Sequence, residues 1–316
     1  MKTAVIGAGA MGSLFGGKLA AAGYPVILYD INREHVDRIA ANGLTIEEPL
    51  ENREYTVEVE ATSAPENLTD CDLFIIFVKS TATKIVAEQF SSIASPQAIV
   101  MTLQNGIGNE AIIREHFGGN RTAAGVTSEG ATFIGAGKVR HAGKGPTYLC
   151  MSDKNNSRLG PFIEMFTKAG FEMHVEENIE ELIWSKLIIN VGINGLTALT
   201  GLTNGRLLDF AETRELMREL VEEAVAVVEA KEIRLTYDNP VERVYEVAEK
   251  TALNRSSMLQ DFDKKVTSEI DFINSAIVRE ADKLGISAPV NRTVTRLVKT
   301  LDALHREQRE HEETNR

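Results

Sequence analysis

The feature that most restricts the fold of this chain stands at its N-terminus. Thr3-Ala4-Val5-Ile6 is a short apolar strand, and Gly7-Ala8-Gly9-Ala10-Met11-Gly12 follows at once with GxGxxG spacing, running into a helical stretch, Met11 to Ala22. Strand, glycine motif and helix in that order specify the first βα turn of a dinucleotide-binding fold. Gly7 permits the tight turn, Gly9 lets the backbone approach a pyrophosphate, and Gly12 lets helix and strand pack closely. The helix N-terminus adds unbonded N–H groups and a positive dipole end for the phosphates. Gly7, Ala8, Gly9, Ala10, Met11 and Gly12 are therefore candidate cofactor residues.

The pattern that follows supports that frame. Pro25 to Tyr29 reads as a second strand, Arg33 to Asn42 as a helix, and Leu73 to Val78 (LFIIFV) as a continuous buried strand. Ala98 to Leu103 and the stretch Thr122 to Ile134 supply further strands, with a helix around Glu110 to His116. Such alternation implies an α/β, doubly wound and mostly parallel sheet with helices on both faces. Beyond Glu177 the periodicity is helical throughout. Arg214 to Lys231 carries an apolar stripe of Leu216, Leu220, Ala224, Val227 and Val228, Asn291 to Leu304 behaves similarly, and His305 to Arg316 reads as a solvated helix tail. The expected organisation is a Rossmann-type dinucleotide-binding domain over 1–173 and an all-helical substrate-binding and catalytic domain over 174–316.

Composition narrows the function classes. The 316 residues suffice for two cores, and the formal net charge of −12 disfavours nucleic acid as a partner. Two cysteines, Cys71 and Cys150, stand far apart, which points to a reducing, cytoplasmic setting. The N-terminus lacks the pattern of a signal peptide, and the apolar run Leu73 to Val78 is too short for a bilayer, so neither export nor membrane insertion is expected. The six histidines show no metal-ligand spacing, and no metal is expected.

Asp30 ends the second strand, 18 residues after Gly12, where an acidic side chain accepts hydrogen bonds from the adenine ribose. A 2′-phosphate would be repelled there, so Asp30 favours NADH, although Arg33 stands near enough to receive that phosphate. Helix capping is the alternative for Asp30, with Asn32 an equal candidate. Lys79 and Asn105 follow the ends of two later strands, at the carboxyl edge where ligands bind in such sheets. The loop Gln104 to Gly108 could place an amide beside a nicotinamide.

The most informative segment is Trp184-Ser185-Lys186-Leu187-Ile188-Ile189-Asn190-Val191-Gly192-Ile193-Asn194. Lys186, Asn190 and Asn194 are spaced by four, so each is turned only about 40° from the last and the three form one polar stripe in apolar surroundings. Burying an ammonium and two amides there is costly unless partners exist. A ligand bearing a carboxylate and a carbonyl would supply them; a buried carboxylate and interhelical amide bridges are the structural alternative. Reducing a ketone by hydride leaves an alkoxide that needs a proton, and a partly desolvated lysine can donate it. Glu269 could accept from the substrate hydroxyl or the lysine, and Ser257 could bind the carboxylate.

These residues bring the chain to a family. It resembles the ketopantoate reductase (2-dehydropantoate 2-reductase) family from Lys2 to about Leu301. The shared features are the N-terminal GxGxxG, Val78-Lys79, Asn105-Gly106, the Trp-x-Lys-x-x-x-Asn-x-x-x-Asn helix, Thr203-Asn204-Gly205, Ser256 to Asp261 (SSMLQD) and Glu269 to Asn274 (EIDFIN). The resemblance implies Lys186 as proton donor, assisted by Glu269 in contact with substrate and cofactor. It implies that Asn190, Asn194, Asn204 and Ser257 hold the substrate, and that Gly7 to Gly12, Lys79, Asn105 and Ala131 line the cofactor. The implied reaction converts 2-dehydropantoate and NAD(P)H to (R)-pantoate, a step toward pantothenate and coenzyme A.

One departure matters. NADPH is usual for the family, with a basic residue where this chain has Asp30, and NAD-using relatives include D-2-hydroxyacid dehydrogenases acting on other branched or aromatic 2-oxo acids. The β-hydroxyacid dehydrogenases share a Lys-x-x-x-Asn helix, but the Glu269 segment argues against them. A non-catalytic dinucleotide sensor would keep the glycine loop without needing the lysine and its amides. The expected partner is a small 2-oxo acid, and the two domains are expected to close on it and the cofactor. A homodimer is left open, since the apolar stripe of the helical domain serves an internal core or a partner copy equally well.

Overall fold

A computed structural model describes residues 1–314. The chain forms two compact units, the first of Met1–Gln104 with Gly108–Ile179 and the second of Asn105–Ile107 with the chain from Glu180 onward.

The first unit opens with β1 (Thr3–Ile6), α1 (Ala10–Ala21), β2 (Val26–Tyr29) and α2 (Arg33–Asn42). A short hairpin of β3 (Leu44–Glu48) and β4 (Arg53–Val57) precedes β5 (Glu60–Thr62) and β6 (Leu73–Ile76). Next come α3 (Thr83–Ser91), β7 (Ile99–Thr102), α4 (Asn109–Phe117) and β8 (Thr122–Thr127). A second hairpin, β9 (Gly130–Gly135) and β10 (Lys138–Gly143), leads to β11 (Thr147–Met151), α5 (Gly160–Lys168) and β12 (Met173–Val175).

Eight of these strands make one sheet in the order β12-β11-β8-β7-β6-β1-β2-β5. Every pairing is parallel except β8 with β11. Alternate residues of each central strand enter different cores, as a strand's two-residue period requires. Val5, Leu28, Ile75 and Met101 lie in one, and Ala4, Ile27, Phe74 and Val100 in the other. A sheet buried on both faces is what the unbroken apolar runs imply. The strand order reverses at β1, so the carboxyl ends of β1, β2 and β6 flank the switch point where ligands bind in such sheets.

The two hairpins form a second, four-stranded sheet in the order β4-β3-β10-β9, joined by parallel pairing of β3 with β10. Leu44 and Ile46 of β3 and Val139 of β10 share the core of Leu14 and Phe15 of α1, so α1 is packed between two sheets. Two adjacent glycines permit this. A Cβ on Gly16 would come within 2.4 Å of Leu28 in the large sheet, and one on Gly17 within 2.7 Å of Leu44 and Ile46 in the small one. Between the layers lies a buried charge cluster. Lys18 bonds Glu48 Oε1 at 2.9 Å, Arg53 bonds Glu48 Oε2, and His141 stands between Glu48 and Glu129.

The second unit is helical: α6 (Ile179–Thr200), α7 (Ala211–Ala230), α8 (Pro240–Lys250), α9 (Ser257–Asp263), α10 (Asn274–Leu284) and α11 (Pro289–Thr314). Among the described residues no strand follows β12. The unit's division from the first falls after Ile179, later than 173, because β12 continues the large sheet and bonds persist beyond it. Glu176 N–H donates to Leu149 O, and Asn156 Nδ2 to Glu176 O. α6 is long and apolar enough to cross a membrane, with a mean hydropathy of 1.4, but 67% of that window is buried within the protein, as befits a core helix. Leu187, Ile188 and Val191 pack with Leu220, Val221 and Ala224 of α7 and with Val244, Ile277 and Val298 from the other helices. Asn274 Nδ2 donates to Val191 O and to Asn291 Oδ1, and Asn291 Nδ2 donates to Leu220 O, so buried amides join α6, α7, α10 and α11.

Candidate active site

In the first unit the three glycines of the motif serve different ends. Gly7 has φ +93°, and a Cβ there would lie 2.7 Å from Val78 N; one on Gly12 would lie 2.0 Å from Gly7 O. The protein itself demands glycine at both. At Gly9 a Cβ would meet nothing within 4 Å, so the protein's own packing does not require glycine there, whereas close approach of a phosphate would. Ala10 and Met11 open α1 with neither a side-chain cap nor an acidic residue in the first turn. Their N–H groups suit an anion.

Asp30 lies just past β2, held by its N–H to Thr62 O and by Ser63 Oγ–H to its carbonyl. Asn32, not Asp30, caps α2, accepting from His35 N–H, which disposes of the capping alternative. One Asp30 oxygen accepts from Asn32 N–H at 2.9 Å. Arg33 is exposed on the first turn of α2. Lys79 follows β6 and leads the 3-10 turn Ser80–Ala82. That loop is clamped by Gln104, whose Nε2 donates to Val78 O at 2.7 Å and to Thr83 Oγ1 at 2.8 Å. Gly7–Gly12, Asp30 and Lys79 thus share the carboxyl edge of β1, β2 and β6. Ala131 lies instead on β9 of the small sheet, opposite His141.

In the second unit Lys186, Asn190 and Asn194 all fall on α6, in line along one face. Burial brings the Lys186 ammonium down to about 8, and the Glu269 carboxylate opposes that shift. Glu269 is itself 8% exposed. The residue before it is pinned by α11: Ser268 N–H donates to Asp302 Oδ1 at 3.0 Å and Ser268 Oγ–H to Oδ2 at 2.7 Å. Asn194 Nδ2 points at Ser257 Oγ, 3.4 Å away, and Ser257 is the first residue of α9. Ser256 caps that helix and bonds Thr197, whose hydroxyl donates to Asn194 O. Asn204 is buried, with Nδ2 donating to Thr251 Oγ1 and Oδ1 unpartnered, an acceptor that a ligand hydroxyl would satisfy.

The tripeptide Asn105–Ile107 belongs to this unit. Gly106 takes φ +83° with its α-carbon so near Phe272 that a Cβ would stand 2.3 Å from the carbonyl oxygen. Ile107 N–H donates to the same oxygen, which fixes Asn105 beside the Glu269–Asn274 segment. The structure therefore brings Lys186 to Glu269 and Asn194 to Ser257. Thr197 and Asp302 carry no sequence signal of their own, because their bonds to Ser256 and Ser268 span 59 and 34 positions, and Gln104, within the loop the sequence points to, acts by clamping Val78 and Thr83.

A parallel-sheet unit with a GxGxxG loop between its first strand and helix, and a helical unit presenting a lowered-pKa lysine on one helix face with two amides and facing a carboxylate, define a nicotinamide-dependent oxidoreductase. Comparison with known proteins makes this specific. Residues 3–154 match the model of Ketopantoate reductase PanE/ApbA, and residues 178–302 match that of its C-terminal part. The 2-dehydropantoate 2-reductase of Halobacterium salinarum is 35% identical over 300 residues, covering 95% of this chain and 98% of that one. A PanE/ApbA family ketopantoate reductase from Ralstonia eutropha JMP134 superposes with a TM-score of 0.89 at 34% identity, covering 97% of this chain and 100% of that one. A D-mandelate dehydrogenase solved with NADH and anilino(oxo)acetate gives 0.88 at 28% identity over 97% and 100% of the two chains. The chain belongs to the ketopantoate reductase family.

Proposed function

We propose that this protein reduces 2-dehydropantoate to (R)-pantoate, with Lys186 as the general acid. The observation that carries this is the Lys186 ammonium, lowered to about 8 by burial and facing Glu269, on a helix whose next two turns present Asn190 and Asn194. A group with that affinity is mostly charged at neutral pH yet gives up its proton readily. Bound nicotinamide supplies the hydride. Lys186 hands its proton to the carbonyl oxygen as that oxygen becomes an alkoxide, and Glu269 keeps the ammonium charged and oriented. Asn194 with Ser257 binds the substrate carboxylate, and Asn190 and Asn204 hold its remaining polar groups.

Gly7, Ala8, Gly9, Ala10, Met11 and Gly12 receive the pyrophosphate, Asp30 the adenine ribose, and Lys79, Asn105 and Ala131 complete the cofactor contacts. Asp30 makes NADH the preferred donor, in keeping with the NADH found in the similar D-mandelate dehydrogenase.

The test is steady-state reduction of 2-dehydropantoate with NADH and NADPH side by side, with 2-oxoisovalerate and phenylglyoxylate as rivals. Highest kcat/KM on 2-dehydropantoate with NADH supports the proposal. A better rate on another 2-oxo acid makes the chain a D-2-hydroxyacid dehydrogenase on this scaffold, and a preference for NADPH shifts the cofactor assignment to Arg33.

A further inference from the structure

A buried histidine with no part in the chemistry above lies beneath the glycine loop. His35, 1% exposed, stands in the first turn of α2 with its ring tilted against Phe133 of β9 at 4.9 Å between centroids. Both ring nitrogens are engaged. Nδ1 accepts from Gly137 N–H at 2.9 Å, in the turn between β9 and β10. A nitrogen that accepts carries no proton, so the neutral ring bears its hydrogen on Nε2. That hydrogen faces Ser13 Oγ, 3.1 Å away, and the Ser13 hydroxyl in turn donates to Ala8 O at 2.7 Å. Ser13 and Ala8 are fully buried.

The end of this relay matters because of where Ala8 sits. In a trans peptide the carbonyl and the following N–H point opposite ways. Holding Ala8 O toward Ser13 therefore turns Gly9 N–H away from α1, and Gly9 is the one motif glycine whose Cβ position faces open space. We infer that His35 and Ser13 are positioning residues for the dinucleotide, fixing the Ala8–Gly9 peptide so that its N–H is presented to the pyrophosphate. The relay fastens the small sheet to the cofactor loop, so anything that breaks it weakens cofactor binding and leaves the lysine chemistry alone. This rests on the dinucleotide reading of the loop.

Protonating His35 breaks it. A proton on Nδ1 would face the Gly137 N–H, donor against donor, and the ring or the β9–β10 turn must then move. Asp30, at the end of β2, is the charged group that favours the protonated ring, while burial opposes it more strongly and holds its pKa below the ordinary value. The Ala8 carbonyl also favours the protonated ring; the other elements packed on it present Ser13, Phe133 and the Gly137 backbone, and on α2 itself the Arg38 side chain lies over Gly137.

The experiment is NADH binding by fluorescence titration, from about pH 8 to about pH 5, on the wild-type protein, Ser13→Ala and His35→Phe. NADH is chosen because it has no 2′-phosphate to titrate in that range. Thermal unfolding of each variant identifies any that fails to fold. At about pH 7.5 Ser13→Ala should bind NADH about tenfold more weakly, one charge-free hydrogen bond's worth at the loop. The wild-type affinity should fall only once the pH is below the ordinary histidine value of about 6.5, because burial holds His35 lower, and this fall should be absent in both variants. Folded Ser13→Ala that binds within about twofold of wild type, or curves that run parallel across the range, would overturn the inference. Wild-type protein that binds neither NADH nor NADPH would overturn the dinucleotide reading and the inference with it, an outcome visible before any variant is compared.

Discussion

Lys186 owes its role to an imbalance: burial lowers its affinity for a proton more than Glu269 raises it. A general acid works only while protonated, so kcat/KM should fall as the pH rises through about 8, the value burial and Glu269 together set for Lys186 in the free protein. Glu269→Gln removes the opposing charge and should move that alkaline limb to lower pH, measured as the pH profile of kcat/KM. Lys186→Ala should lower kcat by about 10²-fold or more with NADH binding intact, read by turnover beside cofactor titration. Asp30→Asn should raise the KM for NADH and lower that for NADPH, read from initial rates with each cofactor. At this scale the sequence was informative where chemistry is written in spacing, as with Lys186, Asn190 and Asn194, and ambiguous where two neighbours suit one task. Asp30 and Asn32 both fit a cap, and only the bond from His35 N–H to Asn32 separates them. His35 leaves no such mark in the sequence, since Gly137, its partner, is 102 positions away.

The elements of the large sheet were legible because strands buried on both faces read as unbroken apolar runs, as Leu73 to Ile76 does. The small sheet is not legible in the sequence on the Asn42–Leu73 side. β3 and β4 mix Leu, Ile and Tyr with glutamates and Arg53, and their half-exposed strands are set by pairing with a distant hairpin rather than by their own composition. α1 shows how much an element can depend on missing side chains. Gly12→Ala should fail to fold or lose several kcal/mol, because its Cβ would stand 2.0 Å from a backbone oxygen, whereas Gly9→Ala should keep the wild-type melting temperature and lose dinucleotide binding. Thermal unfolding paired with cofactor titration separates the two, and equal stability losses would contradict this division of labour.

Within the first unit as a whole, the stability at low pH should depend on one carboxylate. Burial pushes the Glu48 carboxyl up, yet the bonds from Arg53 and Lys18 together prevail and hold it at about 2, against an ordinary 4.5. A depressed folded value means its contribution is fully present above about 4.5 and is lost as the pH falls toward 2. Glu48→Gln should therefore cost about 3 kcal/mol at neutral pH, leave Lys18 buried beside a neutral amide, and flatten the acid limb of urea-unfolding stability. An unchanged acid limb would remove Glu48 from that account. The same layer has a bearing on the order of events in synthesis. The glycine loop and α1 are made well before β9, β10 and the Gly137 turn that cover and fasten them, which come from residues 130–143, more than a hundred positions later. A nascent chain that has released all of its glycine motif still lacks the roof over it, so this loop can reach its working form only after a much later stretch has been made.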